Sequence, residues 1–173
     1  MTNNSCNTNI TVTSNQILLP SQCTFSAYVS STQASVTGDA TTYSIISDTE
    51  LFDIGSNYNN ATGIFTAPVT GRFRFSGQVA YLAATDNTGA GTVQIGLRYG
   101  ANTVYGNMFP GRKVLTTFYG PSNLIMYKVD ATIPLTAADQ VYIFIVGYNG
   151  AKADSVYGHA TDVYTGFSGY LIS

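Results

Sequence analysis

The chain has 173 residues, of which 45% are apolar and only 9% charged, with a formal net charge of −2. That length suits one domain, which buries roughly 70% of its unfolded surface, and the apolar share argues against disorder. Seven scattered Lys and Arg, and no run near the ~18 apolar residues of a membrane helix, argue against nucleic acid and against membrane insertion.

Residues 1–23 read as an N-terminal arm or the base of a stalk, polar and rich in Asn and Thr. The first twenty hold no Lys or Arg, and their apolar run is Ile17–Leu19, so no secretory signal is recognisable. Cys6 and Cys23 leave three readings open: two free thiols, a bridge closing the arm, or a link between copies. Without His neighbours they make no zinc site.

Strand signals begin at "TFSAYVS" (24–30), and a Ser/Thr/Gly/Asp loop is expected from there to about Thr41. "TYSIISD" (42–48) and "ELFDIG" (50–55) are short strands, and "SNYNNATG" is a turn. "IFTAP" and "GRFRFSGQVAYLAA" follow, with Pro68 and Gly71 at the turn between them. Phe73, Phe75, Gly77, Val79 and Tyr81 share one parity, which puts them on a core face.

"TDNTGAG" (85–91) is a loop, and "TVQIGLRYG" and "NTVYGNMF" have hairpin spacing. "PGRKVLTTFYGPSN" is a long connection, and three strands, "LIMYKVDATIPL", "QVYIFIVGYNG" and "VYTGFSGYLIS", complete the count. "LTAAD" (135–139) has room for one helical turn. About ten strands, with no helical period, give an all-β antiparallel sandwich or jelly roll.

"YNNATGIFTAPVTGRFRFSGQVAY" resembles the signature of the globular-head domain of complement component one, subcomponent q, a relative of the tumour necrosis factor jelly rolls. Tyr58, Thr62, Gly63, Phe65, Pro68, Gly71, Phe73 and Phe75 fall on the pattern. "IPLTAADQVYIFIVG" resembles a later block at Leu135, Asp139 and Val141, with Ala138 where the family has Gly, which counts against a positive-φ turn there. "YTGFSGYLI" resembles the closing strand at Phe167, Gly169 and Leu171. The resemblance spans residues 24–173. It implies a ten-stranded antiparallel jelly roll that forms homotrimers, and calcium near the trimer apex in some members. The composition, without a recognisable signal, suits a viral, phage or bacterial surface member.

Chemistry has few carriers. His159 is the sole histidine, in the loop "VYGHATD", with no Gly-x-Ser-x-Gly elbow to make a triad. It is either a solvated loop residue or a ligand contact. Asp139, Asp154 and Asp162 are the calcium candidates, although no dense Asp/Asn loop supplies the six to eight oxygens calcium takes. No cofactor and no catalysis are expected. Three sequons, at Asn3, Asn9 and Asn60, are what an Asn-rich chain produces by chance.

Binding is expected in loops at one end, because loops carry recognition while sheets carry packing. The candidates are Arg112, Lys113, Tyr119, Tyr148, Lys152, Tyr157 and His159. Tyr among Asn, Ser and Gly suits an adaptable recognition surface or a glycan-binding face, and equally suits packing between copies. The expected function is a trimeric attachment or receptor-binding head outside the cell or on a virion or cell surface, with a glycan or protein as partner. A secreted cytokine-like or complement-like ligand and a structural capsid or decoration protein are the alternatives.

Overall fold

The computed structural model describes residues 11–13, 16–18, 22–84, 92–106, 124–148 and 150–173. The described residues are all-β, and an antiparallel sandwich forms the body. Among the described residues a short hairpin, β1 (Thr11–Thr13) and β2 (Gln16–Leu18), pairs only with itself. The strands of the body are β3 (Thr24–Tyr28), β4 (Gln33–Thr37), β5 (Asp39–Ser44), β6 (Thr49–Ile54), β7 (Tyr58–Asn59) and β8 (Ile64–Thr66). They continue with β9 (Gly71–Leu82), β10 (Thr92–Tyr99), β11 (Asn102–Tyr105) and β12 (Leu124–Leu135). Last come β13 (Gln140–Tyr148), β14 (Asp154–Val156) and β15 (Gly166–Leu171).

One sheet has the order β11-β10-β13-β8-β7. The other runs β4-β14-β9-β15-β3-β6, with β12 on the remaining edge of β9. β9 is the spine of that sheet. It pairs with β12 from Gly71 to Leu82, and on its other side with β15 and then with β14.

The signature residues explain themselves as packing. Tyr58, Phe65, Phe73 and Phe75 are buried with Phe25 and Phe167 in one aromatic cluster between the sheets. Phe25 stacks on Phe65 at 5.1 Å, and Phe65 meets Phe75 edge-on at 5.4 Å, the offset and T-shaped arrangements that ring quadrupoles favour. The alternation in "GRFRFSGQVAY" delivers Phe73, Phe75, Val79 and Tyr81 to this core, all fully buried. Gly63 closes the turn after β7 at φ 73°, and a Cβ there would lie 2.4 Å from the Ile45 carbonyl oxygen.

Four expectations are corrected. The strand count of about ten is too low, because short strands β1, β2, β4, β7 and β14 carry no apolar alternation long enough to read. The loop expected up to Thr41 holds β4 and the start of β5, with Ser35 and Ala40 at positive φ of 53° and 67°. The helical turn expected at 135–139 is a tight turn closed by the Asp139 amide donating to the Thr136 carbonyl at 3.0 Å. Ala138 adopts φ 73° there, so the left-handed turn survives the loss of glycine.

Candidate functional site

Tyr28 at the end of β3, Leu82 at the end of β9 and Tyr148 at the end of β13 mark one end of the sandwich, and the expected binding residues Tyr148, Lys152, Tyr157 and His159 lie there. Arg112, Lys113 and Tyr119 lie outside the described residues, as do the loop 85–91 and the whole connection "PGRKVLTTFYGPSN". The remaining candidates divide into two groups.

Tyr157 and His159 belong together. The Tyr157 ring meets Tyr164 edge-on at 5.1 Å, and His159 meets the same Tyr164 at 6.0 Å. Main-chain bonds fix both residues: the Tyr157 amide donates to the Ala80 carbonyl at 2.8 Å, and the His159 amide to the Val29 carbonyl at 3.1 Å. Beneath them Thr165, fully buried, donates its hydroxyl to the Tyr157 carbonyl at 2.7 Å and accepts from the Ala80 amide at 3.0 Å. The His159 Nδ1 lies 3.0 Å from an Asp162 carboxylate oxygen, in a half-exposed pair. The Tyr28 hydroxyl donates to the Ala160 carbonyl at 3.0 Å and pins the loop between them. The result is a half-exposed platform of two tyrosines and a histidine, held by main-chain hydrogen bonds, with a carboxylate at its rim.

Tyr148 and Lys152 lie on the opposite side, around the Gly38 turn. Tyr148 is exposed, and its hydroxyl reaches the Gln94 side chain at 3.3 Å. Lys152 is exposed as well. It acts weakly on Asp39, whose carboxyl is held below its usual range first by the Thr41 side chain and amide and least by Lys152.

Between the two groups lies a buried polar knot. Asp154 is 1% exposed and accepts hydrogen bonds from the Tyr81 hydroxyl and, at 2.9 Å, from the Ala84 amide. Thr37 accepts from the Gly147 amide at 2.8 Å and donates to the Thr41 carbonyl at 2.7 Å. This knot ties β14 to β9 and closes the end of the sandwich.

The three calcium candidates do not meet. Asp139 stands at the start of β13, where its carboxylate accepts from the Thr136 amide at 2.7 Å. Asp154 lies beside Gly147 near the far end of that strand, roughly 27 Å away at the usual rise per residue. Asp162 is taken up with His159. Among the described residues no group of three or more His, Cys, Asp and Glu is arranged to hold a metal.

Sequence reasoning missed Tyr164, Tyr28 and Thr165, which build the platform. Tyr164 was legible only as part of the closing strand "VYTGFSGYLIS", whereas β15 begins at Gly166. Its role depends on the loop folding back over it.

The order and pairing of the two sheets, with an aromatic core between them and loops gathered at the ends, define a jelly-roll domain of the complement-head and tumour-necrosis-factor type. The chain belongs to the C1q domain family, whose model matches residues 24–172. Among solved structures it is similar to the globular domain of zebrafish complement 1qA protein, at 20% identity and TM-score 0.51, over 88% of this chain and 98% of that one. It is similar also to murine APRIL at pH 8.5, at 10% identity and TM-score 0.55, over 87% and 99% of the two chains. Eiger TNF from S. frugiperda matches at 11% identity and TM-score 0.51, over 88% and 93%. These likenesses speak for the fold alone. No curated protein matches the chain.

Proposed function

We propose that the protein is a homotrimeric, non-enzymatic binding head on a virion, phage or bacterial surface, and that it attaches through its end loops to a cell-surface glycan or protein. Members of the family are trimeric binding or ligand domains rather than enzymes, and act outside the cell or at its surface. In this reading residues 24–173 are the head, and residues 1–23 the arm that joins it to the particle.

The observation that carries the assembly is the outer face of the larger sheet. One row across it runs Phe52, Ser26, Ser168, Ser76 and Asp130, and the next Ile54, Thr24, Tyr170, Arg74 and Thr132. Serines fill the middle of the first row and exposed Tyr170 stands in the middle of the second, with exposed Phe52 and Ile54 at the β6 edge. Its one ion pair, Arg74 with Asp130 at 3.6 Å, is half-exposed and worth little. The charges of this face, Arg72, Arg74, Lys128 and Asp130, gather on β9 and β12, and the half built from β15, β3 and β6 is uncharged along these two rows, which suits burial against further copies.

For attachment, the Tyr157–Tyr164–His159 platform offers ring faces for stacking, and Asp162 an acceptor, the chemistry that a sugar ring with its hydroxyls meets well. Three such sites on one trimer lift a weak single-site affinity by orders of magnitude.

Light scattering with chromatography at micromolar concentration tests the assembly, and a monomer near 18.4 kDa rejects it. A glycan array and a cell-binding assay with wild type, Tyr157→Ala and Tyr148→Ala test the attachment. Loss in Tyr157→Ala alone supports the platform. Equal binding by both folded variants rejects the loop assignment, and hydrolysis abolished by His159→Ala rejects the non-enzymatic reading.

A further inference from the structure

β6 is the outer strand of the larger sheet and pairs, among the described residues, with β3 alone. Its apolar side chains are unusually open: Leu51 is 58% exposed, Phe52 48% and Ile54 40%. Leu51 sits where the register against β3 shifts. An exposed apolar edge with unpaired backbone groups invites another strand, and native proteins cover or blunt it. Glu50 and Asp53 are the only charges on this strand.

The hairpin β1–β2 has the complementary problem. It consists of two three-residue strands that pair with nothing else among the described residues. A lone two-stranded hairpin is at best marginally stable in water. Its second strand carries Ile17 and Leu18, and the arm's apolar run falls there. Five residues, 19–23, separate Leu18 from Thr24, so the two lie at most ~22 Å apart.

The tether leaves the body beside the open edge, because Thr24 is the register partner of Ile54. At its base Gln22 donates to the Leu171 carbonyl, and the Leu171 amide donates to the Cys23 carbonyl at 3.0 Å, which fastens the start of the tether to β15. The hairpin is therefore held close to an apolar edge that it does not pair with in its own chain.

We propose that the β1–β2 hairpin of one copy packs across the β6 edge of a neighbouring copy, so that the assembled protein is fastened by exchanged arms. The inference rests on the homotrimer proposed above, and it extends the interface from the sheet face to the edge that borders it. Both partners gain: the hairpin finds the third strand it needs, and the edge loses its open backbone and its exposed Leu51, Phe52 and Ile54.

The test uses the full chain with Phe52 replaced by p-benzoylphenylalanine, assembled from a mixture of isotopically heavy and light chains. Illumination is expected to link Phe52 of one isotope to a peptide containing Thr11–Leu18 of the other. A link to the same chain, or to residues elsewhere in a trimer, overturns the exchanged arm and leaves the trimer standing. A chain that stays monomeric at every concentration sinks the trimer itself and the arm with it. As a second measurement, Ile17→Asp with Leu18→Asp is expected to raise the apparent dissociation constant of the assembly at least tenfold, with the circular dichroism of the head unchanged. Equal constants for variant and wild type overturn the proposal.

Discussion

The ring of Phe25 stacks on the ring of Tyr58, with centroids 4.7 Å apart and planes 8° from parallel. The far end of Tyr58 still finds a polar partner, since its hydroxyl donates to the Ser47 carbonyl at 3.0 Å. Burial pushes that hydroxyl up to about 12, with the bond to Ser47 acting against it. An unfolded tyrosine titrates near ~10. Below that pH both states are neutral and the contribution of Tyr58 is complete. As pH rises from 10 to 12 the unfolded chain sheds the proton first, and up to ~2.7 kcal/mol of stability is lost, at ~1.36 kcal/mol per unit. Urea unfolding at steps across that window is expected to show a flatter pH slope in Tyr58→Phe, which should also start about 1 kcal/mol less stable for want of the hydrogen bond. Identical slopes in the two proteins contradict the buried hydroxyl.

Gly169 faces the same cluster from the closing strand. A Cβ on it would stand 2.5 Å from a Phe75 ring carbon and 2.9 Å from one of Phe25. Those rings are fully buried and have nowhere to go. Gly169→Ala is expected to cost ~1–3 kcal/mol, the usual range for overpacking. A melting temperature unchanged from wild type counts against this packing.

Phe73 is 0% exposed and meets Phe65 edge-on at 5.6 Å. Phe73→Ala is expected to cost ~3–5 kcal/mol, a large part of a domain's stability. Denaturant titration decides this, and a folded variant with an unshifted midpoint rejects the core assignment.

Ala138 offers a change in the opposite direction. It holds φ 73° with its side chain exposed, so its methyl group contributes no packing. A non-glycine residue in that region costs ~1–2 kcal/mol, while glycine brings ~0.4–1 kcal/mol of extra unfolded-state entropy. Ala138→Gly is expected to stabilise the domain by ~0.5–1 kcal/mol, read as a higher urea midpoint. A lower midpoint means that the turn is not strained.

The aromatic core was legible in the sequence because it is local. Phe73, Phe75, Val79 and Tyr81 share a parity within one strand, and that parity alone sends them inward. Asp154 shows the opposite case. As a lone acid between Ala and Ser it reads as an exposed candidate ligand, and only the Tyr81 hydroxyl, 73 residues away in sequence, makes it a buried strut. Strand β4 was illegible for a related reason. Its Ala34 and Ser35 are exposed and Ser35 has positive φ, so pairing with β14 rather than alternation makes it a strand. Of the expected site, the loop was found but its partner was not: Tyr157 and His159 were named, while Tyr164, which joins them, was read as part of the closing strand.

The central position of β9 bears on how the chain reaches this state. Nearly every second residue of that strand is apolar and finds its place only between β12 and β15. The second of these partners begins roughly a hundred residues further along the chain, so the loop that must close is long and its entropic cost falls due before the contacts form. Acquisition of the native state is therefore expected on a timescale of milliseconds to seconds. During synthesis β9 emerges from the ribosome well before β15 does, and until then it is a twelve-residue ribbon with an uncovered apolar face and both edges open. Chaperone dependence and yield in a heterologous host should accordingly follow how long that ribbon stays unpaired, rather than the stability of the finished domain.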